Sequence, residues 1–268
     1  MSKVLMILGM HRSGTSMLTQ WLSACGLNVG ERLMGEDTSN KFGHFEDYDF
    51  FNFHEQILKA NHCTYVTSLE QKLVISDKMI KKAEKLLEDR KDLPQWGWKE
   101  PRTCLFMSLW DKLLPDGYAI VIYRHYDEVV DSLYRRESAL RKAVKKVYIP
   151  ARIIELISYR INKTYHYNKF LEAWIRYNND LFEYIQKKKG SKKILIFSVG
   201  DLLKDFDLIY DTITRDWGFR LKKISMENVF SNESMRGRNA QVFNYKSSLR
   251  KKADEVLEKF ETLKTTLE

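Results

Sequence analysis

An eight-residue loop, Gly9-Met-His-Arg-Ser-Gly-Thr-Ser16, constrains this chain more than any other segment. An apolar run, Val4 to Leu8, precedes it and reads as a buried parallel strand. Ser16 to Cys25 follows, with Met17, Leu18, Trp21, Leu22 and Cys25 at helical spacing and Gly26 at the expected C-cap. A glycine-containing loop that opens a helix presents backbone N–H groups, and the helix dipole adds partial positive charge. Such a loop is an anion nest. The frame is the G-x-x-x-x-G-x-[ST] of a P-loop, but Thr15 stands where the Walker lysine belongs. Arg12 supplies the charge instead, with a fork suited to phosphate or sulfate oxygens. Ser13, Thr15 and Ser16 add hydroxyl donors.

The anion theme agrees with the charge balance. The 268 residues carry 45 Lys+Arg against 36 Asp+Glu, a net +9 that is compatible with nucleic acid, an acidic surface or an anionic small ligand. Hydrophobic residues at 44% exclude a disordered chain, and 12 Gly with 4 Pro exclude a collagen-like or low-complexity one. Cys25, Cys63 and Cys104 are too few and too scattered for a disulfide framework or a zinc cluster, so no metal is expected. No apolar run reaches the roughly 18 residues of a membrane span, and the apolar start is too short for a signal segment. A cytoplasmic protein is expected.

Further along, residues 47–61 and 76–91 read as helices. Trp96 to Arg102 reads as a short strand running into a proline turn, and Leu105 to Leu113 as a short helix. Tyr118 to Tyr123 is β-branched and aromatic and is the clearest strand. Asp127 to Arg136 reads as a helix with Asp127 at its N-cap. Residues 151–188 form a long basic helical stretch, Lys193 to Phe197 a strand, and Leu202 to Trp217 a helix. Strands alternating with helices predict an α/β fold of three layers, P-loop-like, with a central parallel sheet flanked by helices. No linker or repeat divides the chain. One domain over 1–268 is expected, with a helical acceptor-side region at about 134–190 and a C-terminal helix at about 246–267 that docks on the body or forms a short coiled coil.

Arg124 ends the strand Tyr118–Tyr123, where ligands of open α/β sheets bind. Ser132 lies eight positions on, in the next helix. An Arg at a strand end and a Ser on the following helix can hold one phosphate together.

In combination these segments resemble the sulfotransferases that use 3′-phosphoadenosine-5′-phosphosulfate (PAPS). Gly9 to Ser16 is similar to their 5′-phosphate loop. Arg124 and Ser132 match the spacing of their 3′-phosphate element. Lys99-Glu-Pro-Arg102 resembles a Lys-Asp-Pro element of the tyrosylprotein branch, and Gly43-His-Phe-Glu-Asp47 a block of the bacterial members. Some similarity extends to the carbohydrate sulfotransferases. The resemblance covers most of residues 3–220.

The resemblance implies sulfuryl transfer from PAPS to an acceptor hydroxyl, by positioning and electrostatics without a metal. It implies a nucleotide held by Arg12, Ser13, Gly14, Thr15, Ser16 and Met17 at one end and by Arg124, Ser132 and Arg236 at the other. Arg12 and Lys99 would stabilise developing charge. Glu46 is the implied base, with His44 second and Asp47 and Asp49 in the same segment. The acceptor is expected to be a carbohydrate or another small molecule, and the oligomeric state stays open between monomer and homodimer. Trp96 and Trp98 flank the site, ready to stack on an adenine or acceptor ring or to fill the core. The alternatives are a P-loop small-molecule kinase using ATP with Mg²⁺ and a non-catalytic polyanion-binding protein drawing on the basic stretch 134–169.

Overall fold

The computed structural model describes residues 2–35, 43–143, 159, 161–202, 204, 206–229 and 243–264. Arg236 and the rest of the basic loop around it lie outside the described residues, as does much of the stretch 144–160.

Four strands make one parallel sheet in the order β2-β1-β3-β4: β1 Lys3–Leu8, β2 Gln95–Lys99, β3 Tyr118–Tyr123 and β4 Ile194–Ser198. The two central strands, β1 and β3, are apolar on both faces because both faces are covered. From β1, Val4, Met6 and Leu8 point into one core, while Leu5 and Ile7 point into the other. β3 divides in the same way, with Ala119, Val121 and Tyr123 on the first side and Ile120 and Ile122 on the second.

The first face carries α2 Tyr48–Ala60, α3 Asp77–Glu88, α4 Met107–Leu113, α5 Tyr126–Ala143, α6 Lys163–Lys187 and, from the C-terminal end, Ser247–Lys264. The second face carries α1 Thr15–Ala24, through Leu18, Trp21 and Leu22, and the segment 206–219. The three-layer expectation holds. The 25-residue α6 contributes most of its stripe to the first core, with Leu171, Trp174, Tyr177 and Leu181 fully buried. The Ser247–Lys264 helix docks on the body through Ala253, Val256 and Phe260, and the Phe260 ring stacks on Tyr123 at 5.0 Å.

Several local expectations change. Trp96 and Trp98 are core residues and do not offer ring faces to a ligand. Trp98 is fully buried and stacks on Phe50 at 4.5 Å, with Trp96 at 5.6 Å and Trp110 at 5.2 Å. Asp127 is not an N-cap. The N–H groups of Glu128 and Val129 bond to the carbonyl of His125, so α5 starts at Tyr126 and Asp127 lies inside its first turn. The helix expected over 202–217 starts earlier and breaks. The Asp201 carboxylate accepts from the Ser198 hydroxyl at 2.5 Å and closes a turn at Val199–Leu202, which Phe206–Asp211 and a π-turn at Thr212–Asp216 follow. Pro101 opens a 3₁₀ turn over Pro101–Phe106, as its fixed φ favours.

Parallel pairing brings the carboxyl ends of the strands to one edge. Ile7 pairs with Lys99, Leu8 with Val121, and Tyr123 with Ser198. The loop after β1, Lys99, and Arg124 after β3 therefore share that edge.

Candidate functional site

Close packing shapes the loop after β1. A Cβ on Gly9 would collide with the Ile122 carbonyl oxygen and with Thr15 Cγ2, so only glycine fits there. Gly14 sits at φ 89° as the N-cap of α1, and a Cβ on it would lie 2.8 Å from Val199 Cγ2. Arg12 is held at φ 69°, a left-handed conformation that costs about 1–2 kcal/mol for a residue with a side chain. The Ser13 N–H returns to the Met10 carbonyl at 3.2 Å. No side chain caps α1 and its first turn holds no acidic residue, which suits an anion at that end. Ser13 and Thr15 are buried; Ser16 and Met17 are partly exposed, and the Met17 N–H bonds within the turn to Gly14.

Arg12 ties this loop to the far side of the site. Its Nε donates to Ser132 Oγ at 2.8 Å, and its carbonyl accepts from Arg124 Nη1 at 3.3 Å. Arg124 turns its Nε and Nη2 to Glu128 Oε2, each at 2.5 Å. Trp174 Nε1 donates to the Arg124 carbonyl at 3.0 Å and anchors the strand end to α6. Arg124 and Ser132 thus meet through Arg12 and are not directly bonded to each other. Glu128 is a site neighbour that the sequence reading missed. Its signal was present: a carboxylate four positions beyond an arginine on a helix.

The segment 43–49 is pinned against α1 and β2. Lys99 Nζ donates to Glu46 Oε1 at 2.9 Å and to Ser16 Oγ at 3.2 Å, and Ser16 Oγ donates to the His44 carbonyl at 3.1 Å. Lys99 is 1% exposed and Glu46 5%. Burial pulls the Lys99 ammonium below its ordinary pKa, against the opposing pull of Glu46. His44 is buried beside this pair, and its backbone N–H bonds to Met34. Asp47 is occupied differently. It caps α2 by accepting from Asp49 N–H at 2.8 Å, and Arg90 clamps both Asp47 and Asp49 at 2.9 Å. Burial raises the Asp47 carboxyl, while Arg90 and Arg32 hold that of Asp49 low despite its partial burial.

Behind Lys99 lies a buried network that sequence reasoning did not reveal. His54 Nδ1 is 2.6 Å from Glu100 Oε2, and Trp110 Nε1 donates to His54 Nε2 at 3.0 Å. The indole donor assigns the imidazole proton to Nδ1, facing Glu100. Arg102 Nη1 donates to Glu100 Oε1 at 2.6 Å, and its guanidinium pairs with the Glu55 carboxylate at 2.7 Å and lies 4.7 Å over the Phe51 ring. Burial alone would raise the Glu100 carboxyl, but Arg102 and His54 outweigh it and hold it low. His11, inside the first loop, is 6% exposed; burial first, and then the charges of Arg102, Arg136, Lys99 and Arg12, hold its pKa well below the usual value.

Among the described residues no cluster of His, Cys, Asp or Glu forms a metal site, and no helix is long and apolar enough to cross a membrane.

No protein-family profile matches the sequence, and no curated protein matches it. Solved structures do match. A sulfotransferase from Mycobacterium avium superposes with a TM-score of 0.52 at 13% identity, over 97% of this chain and 77% of that one. The sulfotransferase domain of the curacin biosynthetic pathway gives 0.49 at 14%, over 96% and 98%. That of the Synechococcus PCC 7002 olefin synthase gives 0.49 at 14%, over 97% and 94%. The superposition on the Mycobacterium avium protein is a likeness of backbone architecture, and it shows that this chain is built on the sulfotransferase fold.

Proposed function

We propose that the protein is a sulfotransferase that moves a sulfuryl group from PAPS to a hydroxyl of a carbohydrate or other small molecule. The observation that carries this reading is the meeting of Arg12, Lys99, Arg124 and Ser132 at the carboxyl edge of one parallel sheet, around a loop that admits no side chain at Gly9.

The donor set fits a nucleotide with phosphates at both ends. Gly14, Ser13, Thr15, Ser16 and Met17 open a helix with no side-chain cap, where an anion is favoured. Arg12, Arg124 and Ser132 are the proposed 3′ and 5′ phosphate contacts, and Arg236 a further one from outside the described residues. When bound, PAPS supplies the sulfuryl group and a phosphate leaving group.

The chain's own side chains do the rest. Lys99 is desolvated, so its charge acts at close range in a medium that screens poorly. Glu46 holds Lys99 at one carboxylate oxygen and is the proposed acceptor of the hydroxyl proton, with His44 as the second candidate. Arg12, fixed by Ser132 and by its left-handed backbone, is preorganised for charge that builds on the phosphate.

Titration with 3′-phosphoadenosine-5′-phosphate in the absence of Mg²⁺ tests this reading. Tight binding that is lost in Arg124→Ala supports it. Stabilisation by ATP with Mg²⁺ but not by that nucleotide would overturn it in favour of a kinase. Salt-sensitive oligonucleotide binding with no nucleotide effect would favour a polyanion binder. A labelled-PAPS transfer screen over pooled glycans, phenols and peptides then identifies the acceptor.

A further inference from the structure

Next to the proposed phosphate site lies a cluster that none of these roles uses. His11 Nε2 is buried without a hydrogen-bond partner, and so is Nε of Arg136 on α5. A shielded, unmatched polar atom is destabilising until a partner reaches it. The scaffold around them is rigid. The His11 ring meets Tyr65 edge-on at 4.8 Å and Tyr177 at 6.0 Å. The Tyr177 hydroxyl donates to the Tyr65 carbonyl at 3.1 Å, and the Tyr65 hydroxyl donates to Glu137 at 2.8 Å.

The neighbouring charges are assigned elsewhere, with one exception. Lys99 is paired with Glu46, and Arg102 with Glu100 and Glu55. Glu137 accepts from Tyr65. Arg12 is turned toward Ser132. Among the described residues no ion pair involves Arg136, although its charge acts on both His11 and Tyr65. Arg136 adjoins Glu137, whose carboxylate binds the Tyr65 that packs on the His11 ring. A guanidinium with no partner among the described residues, placed across that contact from an imidazole nitrogen that also has none, calls for a ligand that brings both negative charge and an oxygen able to hydrogen-bond.

We propose that the acceptor is an anionic hydroxyl compound, whose carboxylate or sulfate is held by Arg136 and whose hydroxyl oxygen hydrogen-bonds His11 Nε2. The proposal rests on the sulfotransferase reading for what happens to that hydroxyl, but the subsite itself can be tested without turnover. A guanidinium pairs with planar oxyanions through parallel N–H donors, which selects carboxylate and sulfate over neutral hydroxyl groups. Burial first, and then the cations around His11, namely Arg102 on the 3₁₀ turn, Arg136 on α5, Lys99 on β2 and Arg12 on the loop, hold the pKa of its imidazole down. Glu46, Glu100 and Glu137 are the carboxylates packed with them. An anion seated at Arg136 cancels part of that cationic field and raises the His11 pKa. A merely structural histidine would show no such ligand-dependent shift.

The experiment uses the full chain saturated with 3′-phosphoadenosine-5′-phosphate, so that the phosphate contacts are filled. The His11 imidazole is followed by NMR while glucuronate, 4-hydroxybenzoate and inorganic sulfate are added, with glucose and phenol as neutral matches. At least one anion is expected to shift the His11 signal saturably and raise its pKa, at concentrations where the neutral matches do nothing. Arg136→Gln should weaken that anion about tenfold or more, and Arg136→Lys should restore part of the loss. The nucleotide affinity of both variants should stay at the wild-type value. Equal response to anionic and neutral probes, no response to any anion, or wild-type anion affinity in Arg136→Gln overturns the subsite. Failure of the nucleotide to bind overturns the sulfotransferase reading instead, and the anion titration, repeated without nucleotide, still decides for or against the subsite.

Discussion

Lys99 and Glu46, 53 positions apart in the chain, meet as a buried ion pair with Nζ 2.9 Å from Oε1. The pair joins the end of β2 to the segment that leads into α2, and through Ser16 it reaches the start of α1. It combines two of the expected site residues into one unit.

Removing one partner strands the other without water. Lys99→Met should destabilise the protein by about 3–5 kcal/mol in urea unfolding, because Glu46 remains buried and unpaired. Lys99→Met combined with Glu46→Gln should recover much of that loss. Glu46→Gln alone should lower turnover about 10²-fold or more and leave nucleotide affinity unchanged. Unchanged turnover would sink the base assignment and leave the nucleotide assignment standing.

Glu128 occupies the face of Arg124 proposed for a phosphate. Its carboxylate takes both Nε and Nη2 at 2.5 Å, on side chains that are 21% and 31% exposed. A half-open ion pair of this kind is worth about 0–1 kcal/mol. Glu128→Gln should therefore tighten 3′-phosphoadenosine-5′-phosphate binding by about two- to fivefold in calorimetry. Weaker binding in this variant would mean that Glu128 positions Arg124 for the phosphate and does not compete with it.

Ser132→Ala removes the acceptor for Arg12 Nε, which now donates at 2.8 Å. Arg12 would keep its backbone conformation and lose one anchor of its guanidinium. Nucleotide affinity should fall about fivefold or more, one hydrogen bond to a charged group being worth about 1.5–3 kcal/mol at most, while the thermal midpoint falls by no more than several degrees. A collapse in stability with unchanged affinity would make Ser132 a purely structural residue.

Much of the sheet was legible because its signals are local. Val4–Leu8 and Tyr118–Tyr123 are short apolar runs bounded by turn residues, and both form central strands. The loop between β1 and α1 declared itself by its glycines, and one of them, Gly9, proves sterically obligatory. What was not legible depends on partners distant in sequence. Trp96 and Trp98 sit beside the site in the sequence, yet Phe50 and Trp110 draw both into the core. No spacing rule pairs His54 with Glu100 or places Tyr65 against His11. The Arg124–Ser132 spacing led to the right helix, but Ser132 Oγ accepts its direct bond from Arg12 Nε and not from Arg124. Asp47 looked like a candidate base, and its local capping bond to Asp49 N–H shows why an aspartate is favoured just before α2.

Asp180 on α6 gives a pH test independent of the active-site assignment. Its carboxylate accepts from Arg176 Nε at 2.9 Å, yet burial dominates and raises its pKa to about 6. The folded carboxyl therefore binds a proton more tightly than the unfolded one, whose pKa is about 3.9. Between about pH 4 and pH 6 the folded state holds more protons, so this group makes stability fall as pH rises through that window. Above pH 6 the loss is complete, and its upper bound is about 3 kcal/mol. Asp180→Asn keeps an acceptor oxygen for Arg176 and removes the titration. The difference in urea-unfolding free energy between variant and wild type should then grow in the variant's favour from pH 4 to pH 6 and level off above. Parallel curves across that window would show that the Arg176 pair, and not burial, governs this carboxyl.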